Sequence, residues 1–168
     1  IEPRKNHAGL IIAYGQLPGD PPPLVIVGQR DFGYGEFEHA IAALPANRHV
    51  LILSDVQDNE LPVLYRHAML FVYPSFAEGF GMPPLEAMAS GTPVITTQST
   101  ALPEVVGDAG VLVEPKNVEQ LTQALAQLID SQQLRDHFKH KGLERAQLFS
   151  WQNSAQILAR QFRAFLDN

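Results

Sequence analysis

Cysteine is absent from the 168-residue chain, which excludes disulfides, thiolate zinc sites and cysteine nucleophiles. A reducing cytosol fits that composition. Long uninterrupted apolar runs are also lacking, so no segment offers the roughly 20 residues that a membrane-spanning helix needs. The first ten residues contain neither a charged n-region leading into an apolar stretch nor a small-residue cleavage site, and do not read as a signal peptide. There is no initiating methionine, and the chain opens on the charged turn Glu2-Pro3-Arg4-Lys5, so its start reads as that of a fragment. Positive charge is in deficit: 12 Lys and Arg stand against 18 Asp and Glu, a net charge of -6. That balance argues against any partner requiring a broad cationic face, and no nucleic acid is expected. A smaller anion remains open as a ligand, because helix N-termini, backbone amides and one or two local cations bind phosphate whatever the global charge.

The residues present, 45% of them hydrophobic, form no internal repeat, and the Pro-rich stretch near residue 21 is too short to be a linker. Residues 1–168 therefore read as one domain. Asn6 is a helix-capping residue before a helix of about ten residues with Leu10, Ile11 and Tyr14 on one face. Short apolar runs at residues 24–28, 50–53, 68–74, 93–96 and 110–113 predict buried strands, and modest helices are expected at 37–44, 60–67 and 83–89. From Asn117 onward the pattern is helical, with apolar stripes at Leu121, Leu125, Leu128 and Ile129, at Leu134 and Phe138, and at Ile157, Leu158, Phe162 and Phe165. Continuous apolar strands alternating with helices imply an α/β fold, a Rossmann-like parallel sheet covered by helices on both faces.

The segment Pro74-Ser75-Phe76-Ala77-Glu78-Gly79-Phe80-Gly81-Met82-Pro83-Pro84-Leu85-Glu86 falls where a strand ends and the next helix begins. Ligands of parallel sheets collect at such strand ends. Gly79 and Gly81 permit positive φ, so several amides can converge on one oxygen-rich ligand at the helix start. Glu78 on the loop and Glu86, expected in the first helical turn, can each accept two hydroxyls of a vicinal diol. Taken alone, this pattern is equally that of a plain strand-to-helix turn with Glu86 opposing the helix dipole. The six histidines show no ligand spacing, and no metal site or cofactor is expected. Tyr73, Phe76 and Phe80 fit either a stacking platform for a base or core packing.

Glu78 and Glu86, set in Glu-Gly-Phe-Gly-x-Pro-x-x-Glu-Ala-Met-Ala-x-Gly-Thr-Pro-Val-Ile, resemble the signature of retaining GT-B glycosyltransferases of group 1, which include bacterial mannosyl-, glucosyl- and rhamnosyltransferases and sucrose synthase. Further stretches carry the same resemblance: residues 1–6, Val25 to Gly28, the Leu61-Pro62-x-Leu64-Tyr65 helix, Leu102 to Gly110, and Phe149-Ser150-Trp151. The resemblance implies the C-terminal, donor-binding half of such an enzyme, with the first strand and an N-terminal acceptor-binding domain lying outside the chain. It implies that Glu86 holds the ribose hydroxyls and that Glu78 faces the transferred sugar. The amides of Phe80, Gly81 and Met82 would contact sugar and distal phosphate, Lys5 the diphosphate, and Val56 the base. Relatives place an arginine five residues before the lysine, a position preceding Ile1; Arg4 is either an exposed turn residue or a phosphate contact.

The substrate so implied is a nucleoside-diphosphate hexose, with the Glu-Pro-Arg-Lys-Asn start leaning toward GDP-mannose, its hexose transferred to a glycan or lipid-linked acceptor. The parent enzyme is expected in the cytoplasm, and a peripheral place at the inner face of the membrane stays open. Three rivals remain: a glycoside hydrolase using Glu78 and Glu86 as acid and base, a non-catalytic nucleotide-binding or interaction module, and a dehydrogenase, which lacks the first-turn Gly-x-Gly-x-x-Gly.

Overall fold

A computed structural model describes residues 2–29 and 35–166. A 3-10 turn at Pro3–Lys5 leads into α1 (His7–Gly15), then β1 (Leu24–Val27), α2 (Gly35–Ala42), β2 (Val50–Leu53), α3 (Leu61–His67), β3 (Phe71–Tyr73), α4 (Met82–Ala89) and β4 (Val94–Thr97). The chain finishes with α5 (Leu102–Val106), β5 (Val111–Val113), α6 (Val118–Asp130), α7 (Gln132–Ala146) and α8 (Trp151–Leu166). Every apolar run expected as a strand contains one. The helix α5 is an addition, because its five residues are too short to show a helical period.

All strand pairs are parallel, as continuous apolar strands require. Among the described residues they pair as β1 beside β2 and in the order β3-β4-β5. In the three-stranded sheet successive residues of β4 serve opposite faces. Val94 joins Ala87, Met88, Val105 and Val106 from α4 and α5, while Ile95 joins Leu10, Tyr14, Leu121, Leu125 and Leu128 from α1 and α6. Helices thus cover both faces. The α1 helix also faces the other sheet, where Ile11 packs with Ile26, Phe37 and Ala40.

Two sequence expectations meet opposite outcomes among the terminal helices. The stripe of Leu121, Leu125 and Leu128 is buried as expected, with Ile129 partly buried beside it. The stripe of Ile157, Leu158, Phe162 and Phe165 is 56–81% exposed, because α8 lies against none of the core clusters.

The site-bearing loop follows β3 directly. Gly81 caps α4 with φ 103°, and a Cβ there would stand 2.8 Å from Leu102 Cδ2, so a side chain is excluded both conformationally and sterically. Gly79 does not share this property: it is not among the described residues with positive φ, and a Cβ at Gly79 meets nothing within 4 Å. Pro83 and Pro84 occupy the opening of α4, where a missing N–H costs no helical bond. Since α4 begins at Met82, Glu86 is its fifth residue and sits in the second turn, not the first; no acidic side chain occupies the first turn. The helix-dipole explanation for Glu86 is correspondingly weak, since that effect fades beyond the terminal turn.

Candidate functional site

Glu78 is the centre of a charged cluster assembled from distant sequence. Its Oε2 lies 2.7 Å from Arg4 Nη1. Its Oε1 accepts from Lys5 Nζ at 2.9 Å, from the Tyr73 hydroxyl at 2.8 Å and from the Ser75 hydroxyl at 2.9 Å. Lys5 Nζ also bonds the Tyr73 oxygen and lies over its ring, 4.7 Å from the centroid. The 3-10 turn brings both cations here because the Phe76 amide donates to the Arg4 carbonyl at 2.8 Å and Arg4 Nη1 donates to the Ala77 carbonyl at 2.8 Å. Asn6, in a left-handed conformation, then caps α1 by accepting from the Gly9 amide and donates to the Pro115 carbonyl.

The Glu78 side chain is only 10% exposed. Burial pushes its pKa up, but the bonds from Lys5, Tyr73, Arg4 and Ser75 outweigh that effect and hold the carboxyl at about 2. On the cationic side, burial lowers the Lys5 pKa while Tyr73 and Glu78 raise it, with a net rise. Arg4, half-exposed, is raised by its bond to Glu78. Glu78, Lys5 and Arg4 are therefore all ionised at neutral pH.

Glu86 stands on α4 with a different partner. The Tyr65 hydroxyl donates to its Oε2 at 3.2 Å, and the Tyr65 ring is set edge-on to Phe71 with centroids 5.2 Å apart. The Thr92 hydroxyl donates to the Tyr65 carbonyl at 2.5 Å, tying α3 to the end of α4. Burial, then the Glu86 charge, raises the Tyr65 pKa, so its phenol remains a donor. One oxygen of Glu86 is fixed while the other takes no hydrogen-bond partner among the described residues.

Between the glutamates, the amides of Phe80, Gly81 and Met82 donate to no group of the chain among the described residues. Phe80 and Met82 are 43% and 49% exposed, and the Phe80 ring lies edge-on to Phe149 at 6.0 Å. Of the three aromatics weighed as a platform, Tyr73 is buried in the cluster, whereas Phe76 and Phe80 face solvent. Val56 lies in the turn between β2 and α3, and no hydrogen bond links it to Glu78, Glu86 or Lys5. No group of three or more metal-binding side chains converges among the described residues, and His137 and His140 are exposed on α7.

Sequence reasoning named both glutamates, Lys5 and the glycine turn, and left Arg4 undecided between two roles. It missed Tyr73 and Ser75 as ligands of Glu78, Tyr65 as the partner of Glu86, and Thr100, whose hydroxyl grips the Glu78 main chain. Tyr65 fell within a recognised stretch; nothing in the sequence pointed to Thr100.

A glycine-capped helix start at the carboxyl end of a parallel strand, flanked by two acidic side chains and two cations, defines a Rossmann-like α/β domain with a preformed polar site. The chain belongs to the family "Glycosyl transferases group 1", which it matches over residues 1–145. It is 40% identical over 156 residues to O-antigen chain mannosyltransferase B of Escherichia coli, covering 91% of this chain and 41% of that protein. It is 42% identical over 130 residues to the MMP alpha-(1->4)-mannosyltransferase of Mycolicibacterium hassiacum, covering 74% and 32% respectively. Among solved structures, it resembles Anabaena HepE in complex with UDP-glucose, with TM-score 0.85 and 25% identity, over 98% of this chain and 46% of that one. It also resembles the C-terminal domain of LpcC, a group 1 glycosyl transferase from Francisella tularensis, with TM-score 0.77 and 30% identity over 88% and 80%. The chain thus spans less than half the length of the curated relatives described here.

Proposed function

We propose that this chain is the donor-binding C-terminal domain of a retaining GT-B glycosyltransferase that moves a hexose from a nucleoside diphosphate to a glycan or lipid-linked acceptor. The observation that carries the proposal is the meeting of Arg4, Lys5 and Glu78 beside the unpaired amides of Phe80, Gly81 and Met82. Cations and amides suit a diphosphate, and carboxylates suit sugar hydroxyls.

In this reading Glu86 accepts the ribose hydroxyls with the oxygen that Tyr65 leaves unoccupied. Lys5, with Arg4 beside it, stabilises the negative charge that develops on the leaving diphosphate. Glu78 and the amides orient the hexose. The reaction breaks the anomeric C–O bond to the distal phosphate, and the acceptor oxygen attacks on the same face while its proton passes to the leaving phosphate. The chain's contribution is orientation and charge stabilisation, with no protein nucleophile and no metal or other cofactor. The mannosyltransferase relatives and the Glu-Pro-Arg-Lys-Asn start favour GDP-mannose; the HepE complex makes UDP-glucose the donor to test beside it. The acceptor site is assigned to an N-terminal domain outside this chain. Hydrolysis through a Glu78/Glu86 acid–base pair is disfavoured, because a carboxyl held at about 2 stays ionised and cannot act as a general acid near neutral pH.

Isothermal titration of the chain with GDP, UDP, ADP and their hexose conjugates tests the proposal. Binding in the micromolar to millimolar range, roughly -8 to -4 kcal/mol, is expected with no sugar transfer to an added acceptor. The alternative, a non-catalytic nucleotide-binding or interaction module, predicts that joining the missing half restores binding partners but no turnover. No binding of any nucleoside diphosphate would sink the donor-binding reading and leave only an interaction module.

A further inference from the structure

Beyond the end of the β3–β4 pairing, hydroxyl groups continue the stitching that the backbone leaves off. The main-chain register closes at Tyr73 opposite Thr96. From there Thr96 donates to the Tyr73 carbonyl at 2.7 Å, Thr97 to the Ser75 carbonyl at 2.6 Å, and Ser99 to the Phe76 carbonyl. Thr100 completes the series: its Oγ1 accepts from the Glu78 amide at 2.8 Å and donates to the Glu78 carbonyl at 2.9 Å. Four side chains of one short segment thus hold the loop residue by residue as it leaves the sheet, and the last holds both polar groups of Glu78.

Thr100 does this in a conformation that its side chain disfavours. Its φ is 48°, and Asn6 is the other non-glycine residue with positive φ among those described. Asparagine enters the left-handed region readily; a β-branched residue there is an outlier. Such strain persists where surrounding contacts over-determine it, and it gathers at functional sites. Thr100 is exposed, so core packing does not impose the conformation. What remains is the turn closed by the Leu102 amide on the Ser99 carbonyl at 3.1 Å, together with the double hydrogen bond to Glu78.

We propose that Thr100 is a positioning residue for Glu78, fixing its backbone so that the carboxylate is presented to the hexose of a bound nucleoside-diphosphate sugar. This rests on the reading above that Glu78 addresses the transferred sugar. A residue with that role alters discrimination between a nucleoside diphosphate and its sugar conjugate, and leaves binding of the nucleoside part alone.

The test measures the ratio of affinities for GDP-mannose over GDP, and for UDP-glucose over UDP, by calorimetry on the parent chain and on Glu78→Ala, Thr100→Ser, Thr100→Gly and Thr100→Ala, with a thermal melt for each. The expected result is a ratio retained in Thr100→Ser and lowered about fivefold in Thr100→Gly and Thr100→Ala, the scale of one or two lost hydrogen bonds. Glycine relieves the strained φ, so Thr100→Gly should melt no lower than Thr100→Ala while sharing its loss of discrimination. A purely structural role would move melting temperatures and leave the ratio intact; that pattern overturns the proposal. If Glu78→Ala itself leaves the ratio unchanged, the assignment of Glu78 to the sugar fails and Thr100 fails with it. If Glu78→Ala abolishes discrimination while Thr100→Gly preserves it, Glu78 keeps its role and Thr100 loses the one proposed.

Discussion

Lys5 and Glu78 meet at 2.9 Å although 73 positions separate them in sequence. The cation assigned to the diphosphate is therefore already paired with the carboxylate assigned to the sugar, and an arriving phosphate must compete with Glu78 for it. Glu78→Gln removes that competitor while keeping the shape. It should bind GDP or UDP more tightly, by up to about fivefold, the scale of a partly exposed ion pair. Lys5→Ala should weaken the diphosphate more than the nucleoside, and added salt should shrink the difference by screening. Calorimetry at two salt concentrations measures both; weaker GDP and UDP binding in Glu78→Gln contradicts the competition.

Acid should destabilise the chain in two windows. His7 is largely buried, with its Nδ1 unpartnered, and burial lowers its pKa from 6.5 to about 4. A base with a depressed folded pKa contributes stability that is intact above 6.5 and is lost as pH falls toward 4. Glu78 has its folded pKa lowered from 4.5 to about 2. Its contribution, on the order of 2 kcal/mol, is intact above 4.5 and disappears as pH falls toward 2. Denaturant titrations from pH 7 to pH 2 should show His7→Phe flattening the upper window and Glu78→Gln the lower. A single unaltered acid transition in both variants would be inconsistent with these assignments.

Tyr65→Phe removes the donor to Glu86 without changing ring packing on Phe71. The freed carboxylate loses its fixed orientation, so preference for GDP over 2′-deoxy-GDP should fall several-fold, about 1 kcal/mol for one neutral-to-charged hydrogen bond. Glu86→Ala should abolish that preference with little effect on folding, since the side chain stands beyond the first turn of α4. Equal affinities of the parent chain for the two nucleotides would remove the ribose role of Glu86 altogether.

Gly81→Val should damage fold and site together. The residue is buried, its φ is 103°, and any Cβ strikes Leu102, which is itself fully buried. Positive φ and overpacking together cost roughly 2–4 kcal/mol. Gly79→Ala, with open space around its Cβ, should leave the melting temperature nearly unchanged. If the two variants melt alike, the steric account of Gly81 is wrong.

How much of this was legible in sequence depended on range. Strands and amphipathic helices announce themselves through local period, so residues 24–27 and 121–128 could be assigned by inspection. The glycine turn before Glu86 was equally local, though the exact start of α4, and hence the turn holding Glu86, was not, because Pro83 and Pro84 suit either of the first helical positions. The Arg4–Lys5–Glu78 cluster joins segments with no shared periodicity. Resemblance supplied Lys5, while Arg4, Tyr73 and Ser75 needed coordinates. Thr100 carries no sequence signal because its φ, the feature that sets it apart, is a property of the folded backbone. The order in which the strands pair was also hidden, since each strand's pattern reports burial and not its neighbour.

That pairing bears on how the chain opens. No strand of β1–β2 pairs with a strand of β3-β4-β5 among the described residues, and α1 packs into both clusters, through Ile11 on one side and Leu10 and Tyr14 on the other, with Leu24 of β1 and Val50 of β2 also reaching both. Val25, Val27, Leu51 and Leu53 are 37–53% exposed, whereas Val94 and Ile95 are fully buried. Amide hydrogen exchange should therefore be stepped: β1 and β2 through a low-energy local opening, β4 only through global unfolding. Because Lys5 sits at the head of α1 and Glu78 beyond β3, a ligand that engages both would clamp the joint. Slowed exchange in β1 and β2 on adding a nucleotide sugar, at sites it does not touch, would report that clamping.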